Sequence, residues 1–254
     1  MKPRWPEACL PMPMKPIVSR LVGATVASAA SAEEEISGKN GVESLLPLLG
    51  KIDCAIVGEP TKMDLAVAER GLLVLDATTY GKAGHAARNE GENALYKAMK
   101  DIEWLRSYTF PKISSLLGPV KITVTSIETA NKAHNVVPDL CRFIIDVRVN
   151  ELYCFEEIIE EIRKNISSEI KARSLRMKSS RIDSMHPLVE AALTNGGKIY
   201  GSPTSSDKAL MPFPALKMGP GDSARSHTAD EYIHVKEIGD GISIYISILK
   251  NFLL

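Results

Sequence analysis

The residues best equipped for chemistry stand in Ala32-Glu33-Glu34-Glu35-Ile36-Ser37-Gly38. Three consecutive carboxylates follow residues 21–31, a run of small and β-branched side chains that reads as a buried strand, and Gly38 then permits a sharp turn. Carboxylates crowded at a strand end repel one another unless a cation is near. A divalent metal would take one as ligand and leave its neighbour as a general base. The same triplet also suits the exposed first turn of a helix, where the dipole favours acids. Two more potential ligands follow strand-like runs. Glu59 lies in Gly58-Glu59-Pro60-Thr61 after Cys54-Ala55-Ile56-Val57, and His227 lies in a Gly-rich loop after residues 215–218. Ligands gather outside the carboxyl ends of strands in open α/β sheets, and two carboxylates with an imidazole suit zinc. Each has a plainer use as well, Glu59 as a cap and His227 as a surface histidine.

The rest of the chain must place these groups. Residues 1–16 carry Pro3, Pro6, Pro11, Pro13 and Pro16, a density that excludes regular structure, so residues 1–20 read as a disordered or non-native leader. A short helix is expected over 42–49. From Gly71 the pattern becomes strand 72–78, helix 92–108, strand 120–127, alternating strand 142–149, a helix marked by Phe155, Ile158, Ile159, Ile162 and Ile166, and a strand near 174–178. That β-α-β-β-α-β order is ferredoxin-like. The chain therefore reads as an α/β domain in two parts, 21–70 and 180–254, with a ferredoxin-like α+β domain, 71–179, inserted between them. The second part carries a helix at 188–193, a strand at 215–218 and a C-terminal helix at 235–252 with an apolar stripe of Ile238, Ile242, Tyr245, Ile246 and Leu249.

Composition excludes several function classes. The 254 residues are 44% hydrophobic and 24% charged, as in soluble globular proteins, with zero formal net charge, so no nucleic-acid or membrane field is implied. No apolar run reaches the ~20 residues of a membrane span. Lys15 and Arg20 before Ala30-Ser31-Ala32 imitate a secretion signal, but Arg20, Gly23, Thr25 and Ser28 dilute its core. Cys9, Cys54, Cys141 and Cys154 are scattered, as in a reduced, cytoplasmic protein.

In order along the chain stand Ala32-Glu33-Glu34-Glu35, Gly58-Glu59-Pro60-Thr61, Gly81-Lys82-Ala83-Gly84-His85-Ala86, Asn135-Val136-Val137-Pro138, Asp146-Val147-Arg148 and the loop 219–231. Together they resemble the dizinc aminoacylase, acetylornithine deacetylase and carboxypeptidase G family, from about residue 20 to the end. Gly201-Ser202-Pro203-Thr204-Ser205-Ser206-Asp207 and Arg225-Ser226-His227-Thr228 are similar to the acetylornithine deacetylase branch, including forms acting on N-acetylcitrulline or N-succinylornithine. The resemblance implies a zinc-exopeptidase-like α/β catalytic domain with an inserted dimerisation lid, two zinc ions per site (cobalt as a substitute), a homodimer formed through the lid, and hydrolysis of an N-acyl amino acid in arginine biosynthesis. It implies Glu34 as general base and Glu35 and His227 as ligands of one zinc. Glu59 is then a ligand of the second zinc, His85 the group that polarises the carbonyl, and Asn135 and Arg148 the substrate-binding residues. The family's H-x-D motif and bridging Asp do not occur: the histidines are His85, His134, His186, His227 and His234, none before Glu34. By that comparison the catalytic domain is incomplete and the chain an N-terminally truncated member, expected to be a poor catalyst. The alternatives are a non-catalytic dimerising scaffold and a dipeptidase or carboxypeptidase of the same family.

Overall fold

The computed structural model describes residues 17–21, 24–88 and 90–254. In chain order the elements are β1 (Ile17–Leu21), β2 (Ala24–Ser28), a 3-10 turn (Glu34–Ile36), α1 (Val42–Leu49), β3 (Ala55–Val57), β4 (Leu65–Glu69), β5 (Gly71–Tyr80), β6 (Gly84–His85), α2 (Ala94–Ser107), β7 (Lys121–Thr129), β8 (Val136–Val137), β9 (Leu140–Val149), α3 (Phe155–Asn165), β10 (Glu169–Ala172), β11 (Ser180–Arg181), α4 (Pro187–Leu193), β12 (Ile199–Ser202), a 3-10 turn (Asp207–Leu210), β13 (Ala215–Lys217), a 3-10 turn (Ser223–Arg225) and α5 (Val235–Leu253). The chain divides into two compact units: one of Met1–Leu65, Asp183–Lys198 and Ser206–Leu254, the other of Ala66–Ile182 and Ile199–Ser205.

The second unit is built on a four-stranded antiparallel sheet in the order β10-β5-β9-β7. Numbered by appearance in the β-α-β-β-α-β run, this is 4-1-3-2, the ferredoxin-like arrangement expected from the sequence. Alternation decides which face is covered. In β9, Cys141, Phe143, Ile145, Val147 and Val149 are buried, and in β5 Leu73, Leu75 and Ala77 join them beneath α2 and α3. Asn93 caps α2 by accepting from the amides of Leu95 and Tyr96 at 2.9 and 3.3 Å. Glu157 reaches back to the Cys154 amide at 2.9 Å to start α3. Asp101 on α2 is buried and accepts hydrogen bonds from the amides and hydroxyls of Ser167 and Ser168, which fixes the chain entering β10. That anchor places the last strand at 169–172, earlier than the 174–178 expected. Ile170 is the residue it turns into the core, and it pairs opposite Ala77.

In the first unit β3 pairs in parallel with β13, Ala55 opposite Ala215 and Val57 opposite Lys217. Two expectations fail here. Residues 21–31 do not form one buried strand; β2 instead pairs antiparallel with β1, Ile17 opposite Ser28, and residues 27–31 are exposed. A neighbouring segment of Ile, Val and Leu supplies the hydrogen-bond partner, so the strand needs no core. The expected leader 1–20 lies outside the described residues through residue 16, and its last four residues are strand rather than disordered. The stripe on α5 forms at helical spacing but is only partly covered: Ile238, Ile242 and Ile246 are exposed, Ile242 at 55%, Tyr245 and Leu249 are half-buried, and Ile248, outside the stripe, is buried. No helix among the described residues is long and apolar enough to cross a membrane.

Candidate metal centre

The acidic triplet folds into a single 3-10 turn rather than a strand end or a long helix. Two non-glycine residues in the left-handed region bracket it, Glu33 at φ 59° and Ser37 at φ 49°. Gly38 serves by close approach instead of by positive φ, since a Cβ there would run into the Glu33 side chain. The three carboxylates then separate by task. Glu33 closes the turn, accepting from the Asn40 amide at 3.2 Å and its side-chain amide at 3.1 Å. Glu34 is half-buried, and its pKa is pushed up to about 7, first by burial and then by the charges of Glu59, Glu35 and Asp207, with Lys217 opposing them. Glu35 is exposed, and its Oε2 lies 3.8 Å from His227 Nε2.

Two interlocked turns hold the elements that carry Glu59 and His227. The amides of Thr61 and Met63 donate to the Gly219 carbonyl at 3.1 and 3.0 Å, and Lys62 donates to Gly221 at 2.7 Å. The Gly219 amide returns a bond to Thr61 Oγ1 at 3.1 Å, and Lys62 Nζ meets Asp222 at 2.7 Å. Gly219 has to be glycine, because a Cβ would sit 2.6 Å from the Glu59 carbonyl oxygen. On the other side of the interlock, Tyr245 of α5 donates to the Met218 carbonyl at 2.6 Å. Burial pushes its phenol up to about 12, so it stays a donor. His227 is itself left-handed, φ 61°, with its amide bound to Glu231 Oε2 at 3.0 Å.

Two donors of the types zinc takes approach each other at one place, one fewer than the three protein ligands of a catalytic zinc site. Glu35 Oε2 and His227 Nε2 face each other at a separation that bonds of about 2.0–2.2 Å to a shared zinc could span. Both side chains are about three-quarters exposed. Among the described residues no group of three His, Cys, Asp or Glu side chains converges to hold an ion. Glu59 is thus not gathered with Glu35 and His227; it acts on the cluster through its charge against Glu34.

The other sequence-derived residues belong to the second unit. His85 on β6 pairs opposite Val136 of β8, its Nδ1 accepting from the Ala87 amide at 3.1 Å. The Ala86 amide donates to the Asn135 carbonyl at 2.9 Å, so His85 and Asn135 share one small ladder. Arg148 lies apart from that ladder on β9, its guanidinium held in a fork by Asp146 at 2.7 and 3.0 Å.

Two residues escaped sequence reasoning as site residues. Asp207 accepts a hydrogen bond from Ser31, and burial raises its pKa. Lys217 lies in β13, only 5% exposed, with its charge felt by Glu34. A lysine in the otherwise apolar run Ala215-Leu216-Lys217-Met218 was the available signal.

Residues 67–174 match the family model described as the peptidase dimerisation domain. The chain is 25% identical over 259 residues to the succinyl-diaminopimelate desuccinylase of Wolbachia pipientis subsp. Culex pipiens, covering 91% of this chain and 62% of that protein. It is 28% identical over 156 residues to that of Paracoccus denitrificans, covering 56% of this chain and 41% of that protein. Among solved structures it superposes on aminopeptidase PepT of Bacillus cereus with a TM-score of 0.74 at 18% identity, over 91% of this chain and 65% of that one. It also superposes on the Bacillus subtilis YXEP protein, a dinuclear metal-binding peptidase from the M20 family, with a TM-score of 0.65 at 17% identity over the same shares. The chain therefore has the α/β fold of the M20 peptidases and carries their dimerisation domain. It spans just under two thirds of the length of these full-span relatives.

Proposed function

We propose that the chain is part of a metal-dependent hydrolase that cleaves the amide of an N-acylated amino acid. The observation that carries this reading is Glu34: a half-buried carboxyl with a pKa near 7, one residue from a carboxylate that faces an imidazole at 3.8 Å. A base with a pKa near the working pH is the efficient choice for proton transfer. A zinc ion bound at Glu35 and His227 would supply Lewis acidity to the amide carbonyl or to water. Glu34 would take a proton from the attacking water as its oxygen adds to the acyl carbon. The C–N bond then breaks, Glu34 returns the proton to the leaving nitrogen, and the products are a carboxylate and a free amine. In this reading His85 would polarise the scissile carbonyl, and Asn135 and Arg148 would bind substrate polar groups, Arg148 being suited to a carboxylate. Dimerisation through residues 67–174 belongs to the same reading, supported by the match there.

The motifs point to N-acetylornithine, whereas the relatives found are succinyl-diaminopimelate desuccinylases, so we take the acyl group of a diamino acid as the substrate class. Purified chain with added zinc, assayed by amine release from N-succinyl-diaminopimelate and from N-acetylornithine, tests this. Slow turnover of one of them, abolished in Glu34→Gln with zinc still bound, is the expected result. Zinc lost in that variant would exchange the roles of Glu34 and Glu35. Absence of turnover on both compounds in the wild type would count against a hydrolase in this chain.

A further inference from the structure

The four-stranded sheet of the second unit buries one face beneath α2 and α3, and the same alternation turns a second set of side chains the other way. On that other face Asp76 and Thr78 of β5, Arg142 of β9, Ser126 and Glu128 of β7, and Arg173 line a hollow of about 370 Å³. Ile144, half-buried and opposite both Asp76 and Ser126, lies at its middle. A β-bulge decides this composition. Val124 is opposite Ile145 and Ser126 opposite Ile144, so Thr125 has no partner of its own. In unbroken register Thr125 and Ile127 would take these places. The extra residue brings Ser126 and Glu128 there instead and sets Glu128 directly opposite Arg142. Opposite charges so placed across a sheet ordinarily pair. Here, among the described residues, neither the Arg142 guanidinium nor the Glu128 carboxylate makes a hydrogen bond or ion pair, and both residues are exposed. Asp76 and Arg173 behave differently: Arg173 Nε reaches both carboxylate oxygens at 3.0 Å, and its Nη2 donates to Oδ1 at 2.7 Å. The hollow thus presents one closed ion pair and one held apart.

We propose that this hollow binds a free α-amino acid, its carboxylate on the Arg142 guanidinium and its ammonium on the Glu128 carboxylate. The charges select that class. Asp76, Glu128, Arg142 and Arg173 sum to zero, and so do Glu169 and Lys171, the β10 residues opposite Thr78 and Asp76. No net field draws in a polyanion or a lone cation. A zwitterion supplies both complements at once: the guanidinium fork matches a carboxylate, and a carboxylate accepts from an ammonium. Thr78 and Ser126 add hydroxyls beside the two charged groups, and Ile144 offers apolar contact to an aliphatic side chain. The volume is in the range of small-molecule sites. An N-acyl amino acid lacks the ammonium, so the hollow discriminates against the class cleaved in the proposed reaction and accepts the class released by it. No metal and no residue assigned to hydrolysis takes part.

Calorimetric titration of the full chain with chelator present, using glycine and L-leucine as probes, measures binding, and amide NMR shifts locate it. L-Leucine should bind, with shifts gathered at residues 76–78, 126–128 and 142–144. N-acetyl-L-leucine, which lacks the ammonium, and L-leucinamide, which lacks the carboxylate, should each bind about 10–100-fold more weakly. The same loss is expected for L-leucine on Arg142→Ala and on Glu128→Gln. Equal binding of L-leucine and its two blocked forms overturns the proposal, as do shifts gathered around Arg148 or in the first unit. Failure of both glycine and L-leucine to bind at millimolar concentration overturns it as well. Arg142 and Glu128 are exposed, so both variants should fold; should one not, the blocked forms on the parent chain decide alone.

Discussion

Replacing Glu34 by Gln should stabilise the metal-free chain at alkaline pH and leave it nearly unchanged in acid. The carboxyl's pKa rises from 4.5 to about 7 on folding, so between those values the folded state binds more protons than the unfolded one. Stability therefore falls as pH rises through that window. The folded state is least penalised below pH 4.5, and the full cost is present above about 7. At 1.36 kcal/mol per pH unit the displacement corresponds to roughly 3 kcal/mol for an unscreened group. Glu34 is only half-buried, and solvent screening reduces this to about 1 kcal/mol. For a chain of this size that is a melting-temperature difference of about 2–4 °C. Thermal melts of both proteins with chelator present, at pH 4.5 and pH 8, measure it. The variant should melt higher at pH 8 and level with the parent at pH 4.5. Saturating zinc should shrink the gap, because a cation near Glu35 favours ionised neighbours. An equal difference at both pH values, or a variant that melts lower at pH 8, would refute the electrostatic account of this cluster.

Asp101→Ala removes the buried acceptor shared by the amides and hydroxyls of Ser167 and Ser168, and urea unfolding should show the second unit weakened by about 2–4 kcal/mol. Ile242→Lys places a charge in the open stripe of α5, so it should alter stability by no more than about 0.5 kcal/mol while lowering binding of a hydrophobic dye and any self-association through that stripe. Light scattering of the intact chain at tens of micromolar should report a dimer, and a monomer there would count against dimerisation through residues 67–174.

The second unit was largely legible because its strands alternate. Phe143, Ile145, Val147 and Val149 announce both a strand and its covered face, and the amphipathic run from Phe155 to Ile162 announces α3. Short, evenly apolar stretches carry no such mark. Residues 21–31 read as strand without a partner in sight, and the pairing of residues 24–28 with 17–21 uses a segment whose neighbouring prolines argue against regular structure. On α5 the periodicity pointed to a stripe whose Ile238, Ile242 and Ile246 are exposed, while the fully covered positions are Gly241 and Ile248, because periodicity does not say which side a neighbour covers. At the candidate site, residue type flagged the Glu triplet, Glu59 and His227, yet their division of labour depends on Glu33 and Ser37 adopting φ > 0, which residue identity does not signal. The burial of Asp207 is a tertiary property with no mark in the sequence, whereas Lys217 is marked only by its place in an apolar run.

The interlock between the Glu59 turn and the Gly219 turn has a consequence for the order in which the molecule assembles. Its partners are separated by 158 positions, as in the contact of Thr61 with Gly219, with all of the second unit lying between them in sequence. At a synthesis rate of ~5–20 residues per second, residues 55–63 emerge roughly 8–30 s before the turn that will hold them. The second unit, whose sheet and helices are nearly contiguous in sequence, can close its own short loops within that interval. The inserted unit should then fold first and act as the linker whose ends deliver the Thr61 turn and the Gly219 turn to one another. Pulse-labelled hydrogen exchange during refolding would show amides of β5 and β9 protected before those of residues 55–63; the reverse order would mean that the distant turns meet first and the insertion folds against them.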